Sequence, residues 1–230
     1  METLTTKKVS IVLPPPIKSN METKERILVK AGEMFMRYGI RSVSMDDIAA
    51  QLGMSKKTIY QFFGDKDELV DAVMEVEIGR MQEDCSMCSF SARDAVDEIF
   101  LTMEQIQDQM QNMNQMVVYD LEKFHHKTYI KFREHKDNYL YKIIADNLVR
   151  GMNEGLYRPE LNINIIARFR LESMMMAFNI DLFPTKKFSL VEVTSELIEH
   201  YVFGLATNKG HKLIEKYKLE LQKKLSAHAK

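Results

Sequence analysis

A short basic segment, Ser55-Lys56-Lys57-Thr58, has the residue types best suited to bind a ligand of defined chemistry. Ser55 is of the type that caps the N-terminus of a helix. The first turn of such a helix offers unpaired backbone N–H groups and the positive end of the helix dipole. The two lysines of the segment add two ammonium groups to this turn, and its serine and threonine add two hydroxyl groups. Such groups bind the phosphates and base edges of DNA, so the segment predicts a DNA contact.

Two other groups of residues carry reactive side chains but form no complete site in the sequence. Cys85 and Cys88 form a single C-x-x-C, and zinc would need two further ligands at suitable spacing. We interpret them as free thiols, with a redox switch as the alternative. His125, His126 and His135 fit an exposed polar helix face better than a metal or acid–base site. We therefore expect no catalytic residues, no metal and no cofactor.

The elements that position the basic segment are predicted by apolar spacing and by helix caps. An apolar stripe begins at Thr23 and ends before Gly39, which is typical of one amphipathic helix. Ser44-Met45-Asp46-Asp47 then has the pattern of a capping box, and the short helix that follows ends at Gly53. Ser55 caps the next helix, and a fourth helix begins after Gly64. The second and third helices form a helix-turn-helix, with the basic segment on its outward side.

This arrangement predicts which residues contact DNA. We expect base-edge contacts from Lys56, Lys57, Thr58 and Gln61. We expect phosphate contacts from Ser44, Ser55, Tyr60 and Lys66. The full predicted set is Ser44, Met45, Ser55, Lys56, Lys57, Thr58, Tyr60, Gln61 and Lys66.

Composition sets the class of the whole chain. The 230 residues carry 32 Lys+Arg against 33 Asp+Glu, so a nucleic-acid partner must be bound by a local patch. Nine Gly, five Pro and no Trp favour long helices over a turn-rich β fold. No apolar run has the length of a membrane span, and two cysteines exclude a disulfide scaffold. We expect a cytoplasmic, all-α protein without membrane association.

The domain organisation follows from these patterns. We predict a flexible N-terminal tail over 1–20, a three-helix helix-turn-helix domain over 21–67 and a larger helical domain over 68–207. Residues 208–230 are expected to form a basic C-terminal helix or tail. In the larger domain, 161–183 and 188–207 are predicted to be helices with apolar faces suited to subunit pairing.

The segment from Thr23 to Leu69 resembles the N-terminal domain of the TetR family of transcriptional regulators. The resemblance rests on Ser44-Met45-Asp46-Asp47-Ile48-Ala49, on Leu52 to Phe63 with its Tyr-x-x-Phe element, and on Lys66-Asp67-Glu68-Leu69. Lys57 departs from the family, whose members usually carry glycine there. The resemblance implies a homodimeric repressor in a bacterial cytoplasm. Such a repressor binds a palindromic double-stranded DNA operator and releases it when a small-molecule effector enters the C-terminal domain.

The effector pocket is predicted least directly. Methionines at helical spacing are typical of core filling, and they also suit a deformable apolar lining. The predicted lining comprises Met103, Ile106, Met110, Phe124, Tyr139, Ile143, Met174 and Phe178. The alternative function is a small-molecule or redox-sensing helical protein, responsive through Cys85 and Cys88, whose helix-turn-helix is structural only.

Overall fold

The computed structural model describes residues 23–228, and side chains as far as 224. The predicted tail over 1–20 lies outside the described residues. The first four helices are α1 (Thr23–Tyr38), α2 (Met45–Leu52), α3 (Lys56–Tyr60) and α4 (Lys66–Ser91). Their bounds follow the predicted caps, since Ser44, Ser55 and Asp65 each accept a hydrogen bond from a backbone N–H of the first turn.

The remaining chain is also helical. Its elements are α5 (Ala95–Met110), α6 (Val117–Phe124), α7 (His126–Glu134), a π-helical segment (His135–Leu140), α8 (Tyr141–Asn153), α9 (Ile163–Met176), α10 (Leu190–Leu205) and α11 (Asn208–His228). Within residues 23–228 no strand is assigned, and the β pairing is a single bridge between Tyr157 and Ala206. The predicted all-α architecture, with an N-terminal helix-turn-helix domain and a larger helical domain, is confirmed.

The N-terminal core is formed by α1 to α4 together with parts of α6 and α7. Phe35, Ile48, Ile59 and Leu69 are almost fully buried there, and Val117 and Leu121 of α6 belong to the same cluster. Burial of each large apolar side chain contributes about 1.5–3 kcal/mol to folding. The predicted domain boundary at 67/68 falls within the first turn of α4, which continues without a break into the larger domain.

A second core holds the larger domain together around α5, α8, α10 and α11. Ile214, Tyr217 and Leu221 place the apolar stripe of α11 against α5, so the C-terminal segment packs on its own chain. Gly151 of α8 lies against the Tyr157 ring, at a distance that leaves no space for a Cβ atom.

The region around Pro184 differs from the prediction. A helix was expected to continue to Phe183, but α9 ends at Met176. The Asn179 side chain accepts hydrogen bonds from the backbone N–H groups of Asp181 and Leu182 and so forms a local turn in place of further helix. Helix α10 begins two residues after the start of the predicted range 188–207 and has a capping box formed by Ser189 and Glu192.

Candidate nucleic-acid interface and its connection to the larger domain

The turn between α2 and α3 is fixed by local hydrogen bonds. Ser44 Oγ accepts from the Asp47 N–H at 3.2 Å, and Asp47 Oδ2 accepts from the Ser44 N–H at 2.8 Å. The Ser44 hydroxyl also donates to Asp47 Oδ2 at 2.6 Å, and this bond, together with the one from the Ser44 N–H, lowers the pKa of Asp47. Gly53 has φ 64°, in the left-handed region that favours glycine, and the Met54 N–H donates to the Ala49 carbonyl at 3.0 Å. Helix α3 therefore leaves α2 at a defined angle.

Helix α3 is held by one face and exposes the other. Ile59 is fully buried in the N-terminal core, and Phe63, just beyond the helix, is almost fully buried. The Ser55 side chain caps the helix by accepting from the Thr58 N–H at 3.1 Å. Because the apolar side is anchored, the other side faces solvent. The exposed residues there are Ser55, Lys56, Lys57, Tyr60 and Gln61, with Thr58 half-buried beside them.

The two lysines of α3 differ in electrostatic surroundings. Lys56 Nζ lies 2.7 Å from Asp46 Oδ2, and this hydrogen bond raises the pKa of Lys56. The same ammonium lies 5.9 Å from the centroid of the Tyr60 ring. Lys57 forms no ion pair with any residue in the described part of the chain. Its ammonium is therefore available to an external anion without loss of an internal partner.

Two residues of the predicted DNA-binding set are not on this surface. Met45 is only 5% exposed and packs in the N-terminal core, because the first residue of α2 faces inward once Ser44 caps the helix. Lys66 is half-buried, and its ammonium donates to the Ile40 carbonyl at 2.6 Å. Burial lowers the pKa of Lys66. In this structure Lys66 supports the loop between α1 and α2, and it does not face outward with α3.

That loop is also contacted by the larger domain through Asp120, a residue that sequence reasoning missed. Asp120 is 4% exposed, and its Oδ2 accepts from the backbone N–H of Arg41 at 2.9 Å. A few residues earlier, the Asn114 N–H donates to the Met36 carbonyl at 2.6 Å. A carboxylate on the apolar side of α6, between Val117 and Leu121, is the sequence feature that could have drawn attention to this position.

Polar contacts also link the first turns of α4 to the segment after α6. His125 Nδ1 lies 2.7 Å from Asp67 Oδ1 in the first turn of α4, although the two atoms do not have the geometry of a hydrogen bond. Farther along α4, Asp71 accepts from Thr128 at 3.1 Å and from Lys131 at 2.8 Å. Of the three histidines predicted to form an exposed polar face, only His126 is exposed. His125 contacts α4, and His135 is 7% exposed, so the prediction is wrong for these two.

The residues predicted to line an effector pocket are spread over several parts of the larger domain. Met103 and Ile106 pack in the second core, and Met110 and Phe178 pack beside a small third cluster around Leu190. The Tyr139 hydroxyl donates to the Gln82 carbonyl at 3.0 Å, and Ile143 and Met174 are half-buried. These positions remain a prediction.

Phe124 departs from that predicted lining. It is 40% exposed, and the Arg41 guanidinium lies 4.9 Å from its ring centroid, beside the N-terminal domain. The ring sits at the last residue of α6, where the helix has left the interior of the larger domain, so Phe124 belongs to the contact between the domains.

The two cysteines lie within α4 as free thiols. Burial raises the pKa of Cys85 to about 11, and burial also raises that of Cys88. Cys88 Sγ donates to Gln105 Oε1 at 3.2 Å. Among residues 23–228, no group of three or more His, Cys, Asp or Glu is placed to hold a metal ion, and no helix is long and apolar enough to cross a membrane.

The sequence of the N-terminal helices matches that of a known protein family. Residues 27–73 match the sequence model of the family described as bacterial regulatory proteins, tetR family. The HTH-type transcriptional repressor KstR2 of Mycobacterium tuberculosis (strain H37Rv) is 26% identical over 153 residues, which are 62% of this chain and 73% of KstR2. The HTH-type transcriptional regulator YvaF of Bacillus subtilis is 27% identical over 107 residues, or 46% of this chain, and the match spans little more than half of YvaF, 56%.

The fold extends the similarity into the larger domain. A transcriptional regulator from Saccharomonospora viridis, solved in complex with choline, superimposes with a TM-score of 0.65 at 16% identity. The superposition covers 80% of this chain and 98% of that one. At this identity the likeness concerns the fold alone.

Proposed function

We propose that the chain is a transcriptional regulator of the TetR family and not an enzyme, that it binds a palindromic DNA operator as a homodimer, and that it is released by a small molecule. KstR2 is named as a repressor, and we propose repression for this chain as well. We place its action in the cytoplasm.

The observation that carries the proposal is the outward face of α3. Ile59 anchors this helix in the core, while Lys57 presents an unpaired ammonium and Tyr60 a phenol hydroxyl to solvent. Such a convex, partly basic helix fits the major groove of B-DNA, which is about 12 Å wide. We assign base contacts to Lys56, Lys57, Thr58 and Gln61, and phosphate contacts to Ser44, Ser55 and Tyr60.

An exposed apolar face supports the homodimer. Ile165 and Phe169 on α9 are 63% and 53% exposed, and Met176 at the end of the same helix is 38% exposed. Three large apolar side chains at helical spacing are typical of a surface that another protein covers. A pair of subunits would place two copies of α3 about 34–36 Å apart, as two successive major grooves require.

The larger domain is proposed to receive the effector and to pass its effect to α3. Support comes from the fold, because a solved structure with the same fold holds choline. The contacts of Asp120 and His125 with the N-terminal domain provide a route by which a shift of α6 reaches the helix-turn-helix. We keep the sequence-based limits of 21–67 for the DNA-binding domain and 68–207 for the effector and dimer domain.

The alternative, a sensor whose helix-turn-helix is structural only, would act through Cys85 and Cys88. Burial raises the pKa of both thiols, and a thiol of raised pKa is a poor nucleophile at neutral pH. This observation favours DNA binding over redox sensing.

The experiment starts with selection of bound sequences from random duplex DNA by the purified protein, followed by fluorescence anisotropy on the selected duplex. Lys57→Ala and Tyr60→Ala should each weaken binding at least about tenfold and leave the melting temperature nearly unchanged. In a dimer, Lys57→Ala removes two positive charges from the DNA-facing surface, so the slope of log K against log salt should fall by up to about two. Lys187→Ala, an exposed lysine outside α3, serves as the matched control.

Two results would contradict the proposal. Wild-type affinity in both α3 variants would remove α3 from the interface, and a selected sequence without twofold symmetry would argue against the homodimer.

A further inference from the structure

Arg170 on α9 is a buried guanidinium without a counter-charge. The residue is 7% exposed, and no carboxylate lies within ion-pair distance of it among residues 23–228. Its Nη1 lies 3.5 Å from Ser173 Oγ, and its guanidinium carbon lies 5.3 Å from the ring centroid of Tyr201 on α10. A guanidinium has five N–H donors, so one long hydrogen bond leaves most of them unused.

Two other arginines of the larger domain, Arg150 and Arg93, are paired with carboxylates. Arg150 contacts Glu98 at 3.2 Å and Glu154 at 2.8 Å, and Arg93 contacts Asp97 at 2.7 Å. A buried charge without a partner is strongly destabilising, and proteins normally supply one. Burial lowers the pKa of Arg170 to about 10, which leaves the side chain charged at neutral pH. The positive charge is thus present and unmatched.

A second buried polar group near α9 also lacks a partner. His135, the first residue of the π-helical segment, is 7% exposed, and its Nε2 has no hydrogen-bond partner among the described residues. The next residue, Lys136, contacts Glu172 of α9 at 2.7 Å, so the π-helical segment and α9 are direct neighbours. Short π-helical segments frequently occur at functional sites. Helix α9 and the π-helical segment are therefore in contact, and each contains a buried polar group without a full set of partners among the described residues.

The surroundings of Arg170 define what kind of anion suits it. Ala167 lies about one turn before Arg170 on α9, and Ile198 lies about one turn before Tyr201 on α10; both are buried. A small inorganic anion there would lose its hydration and gain one guanidinium. An organic acid would pack its apolar body against apolar side chains and bring one carboxylate to the guanidinium. Such an arrangement is typical of ligand sites.

We propose that Arg170 binds the carboxylate of the effector and that the effector is an organic acid with an apolar body. The inference rests on the proposed function, because it names the chemical class of the ligand that the larger domain receives. A guanidinium and a carboxylate pair through two parallel N–H···O bonds, which fix orientation as well as charge.

The test measures binding of matched probes by calorimetry and by the melting temperature of the full chain. The acids are octanoate, dodecanoate and phenylacetate, below micelle formation, and each is paired with the alcohol of the same body. Dodecyltrimethylammonium provides the opposite charge. At least one acid should bind wild type roughly tenfold or more tightly than its alcohol, and the cation should not bind.

Arg170→Met keeps an unbranched apolar side chain and removes the charge. It should reduce acid binding roughly 10- to 100-fold, leave alcohol binding unchanged and, because an unmatched buried charge is gone, raise the melting temperature of the free protein. Arg168→Met, an exposed arginine two residues away, is the matched control and should behave like wild type. If Arg170→Met does not fold, Arg170→Gln and the wild-type preference for acids over alcohols decide the question.

Three outcomes would overturn the proposal: equal affinity for acid and alcohol in wild type, acid binding that survives in Arg170→Met, or a changed monomer–dimer equilibrium with unchanged probe preference. The last would assign Arg170 to the contact between subunits. DNA binding by the free protein is measured separately. Failure of the free protein to bind DNA would count against the proposed function, while a preference for acids over alcohols would still support the ligand class.

Discussion

Replacing Asp120 with alanine should loosen the contact between α6 and the loop that precedes α2. The carboxylate is 4% exposed and accepts from the Arg41 N–H at 2.9 Å, with Gly39 packed against the same oxygen. A hydrogen bond to a charged group contributes about 1.5–3 kcal/mol, and the Arg41 N–H would be left to partial hydration. We expect Asp120→Ala to lower the free energy of unfolding by about 2 kcal/mol, which in a chain of this size lowers Tm by roughly 4–8 °C.

The assay combines thermal unfolding with native-state hydrogen exchange. The amide of Arg41 should lose protection in Asp120→Ala, while amides in the middle of α4 should keep theirs. Asp108→Ala provides the control, because Asp108 is an exposed carboxylate on α5 that forms no ion pair in the described structure. A Tm within about one degree of that control, together with unchanged protection at Arg41, would refute the view that Asp120 joins the two domains.

Gly151→Ala should destabilise the larger domain by about 3 kcal/mol or more in urea unfolding, because its Cβ would lie 2.0 Å from Tyr157 Cδ2 and the Tyr157 hydroxyl is held by Ala95 and Asn147. The control Gly79→Ala has no atom within 4 Å of the new Cβ and should stabilise α4 by about 0.5–1 kcal/mol; equal effects of the two changes would contradict the packing around Tyr157. Because the thiolate is the reactive form and burial raises the pKa of Cys85 to about 11, alkylation by iodoacetamide should be slow at pH 8 and should increase about tenfold per pH unit until about pH 11. Rapid labelling of folded protein at neutral pH, measured by mass spectrometry, would revive redox sensing.

The helices that could be predicted are those whose determinants are local. Ser44, Ser55 and Asp65 cap helices within three residues of themselves, and Gly53 ends α2 through its own backbone conformation. Each pattern is complete within one turn of chain, so the sequence contains all the information. The same holds for the exposure of Lys57 and Tyr60, which follows from Ile59 being the apolar member of a five-residue helix.

What could not be predicted depends on residues far apart in sequence. Asp120 acquires its role from Arg41, 79 residues earlier. Arg170 is unusual because Tyr201 on α10 lies against its guanidinium without supplying a counter-charge. Lys66 matched a phosphate-binding pattern, but the Ile40 carbonyl, 26 residues away, uses its ammonium. The sequence alone does not indicate which charge meets which partner, or that Phe124 lies beside Arg41 of the N-terminal domain.

The shortness of α3 limits how much sequence one subunit can discriminate. At 1.5 Å per residue, its five residues extend about 7.5 Å, little more than two base-pair steps of 3.4 Å. A sequence of two or three base pairs occurs by chance every few dozen positions, which is far too often to specify one gene. In the proposed homodimer, specificity would come from two such half-sites at a fixed spacing. A movement that alters the distance between the two copies of α3 would then abolish recognition without changing any residue that contacts a base.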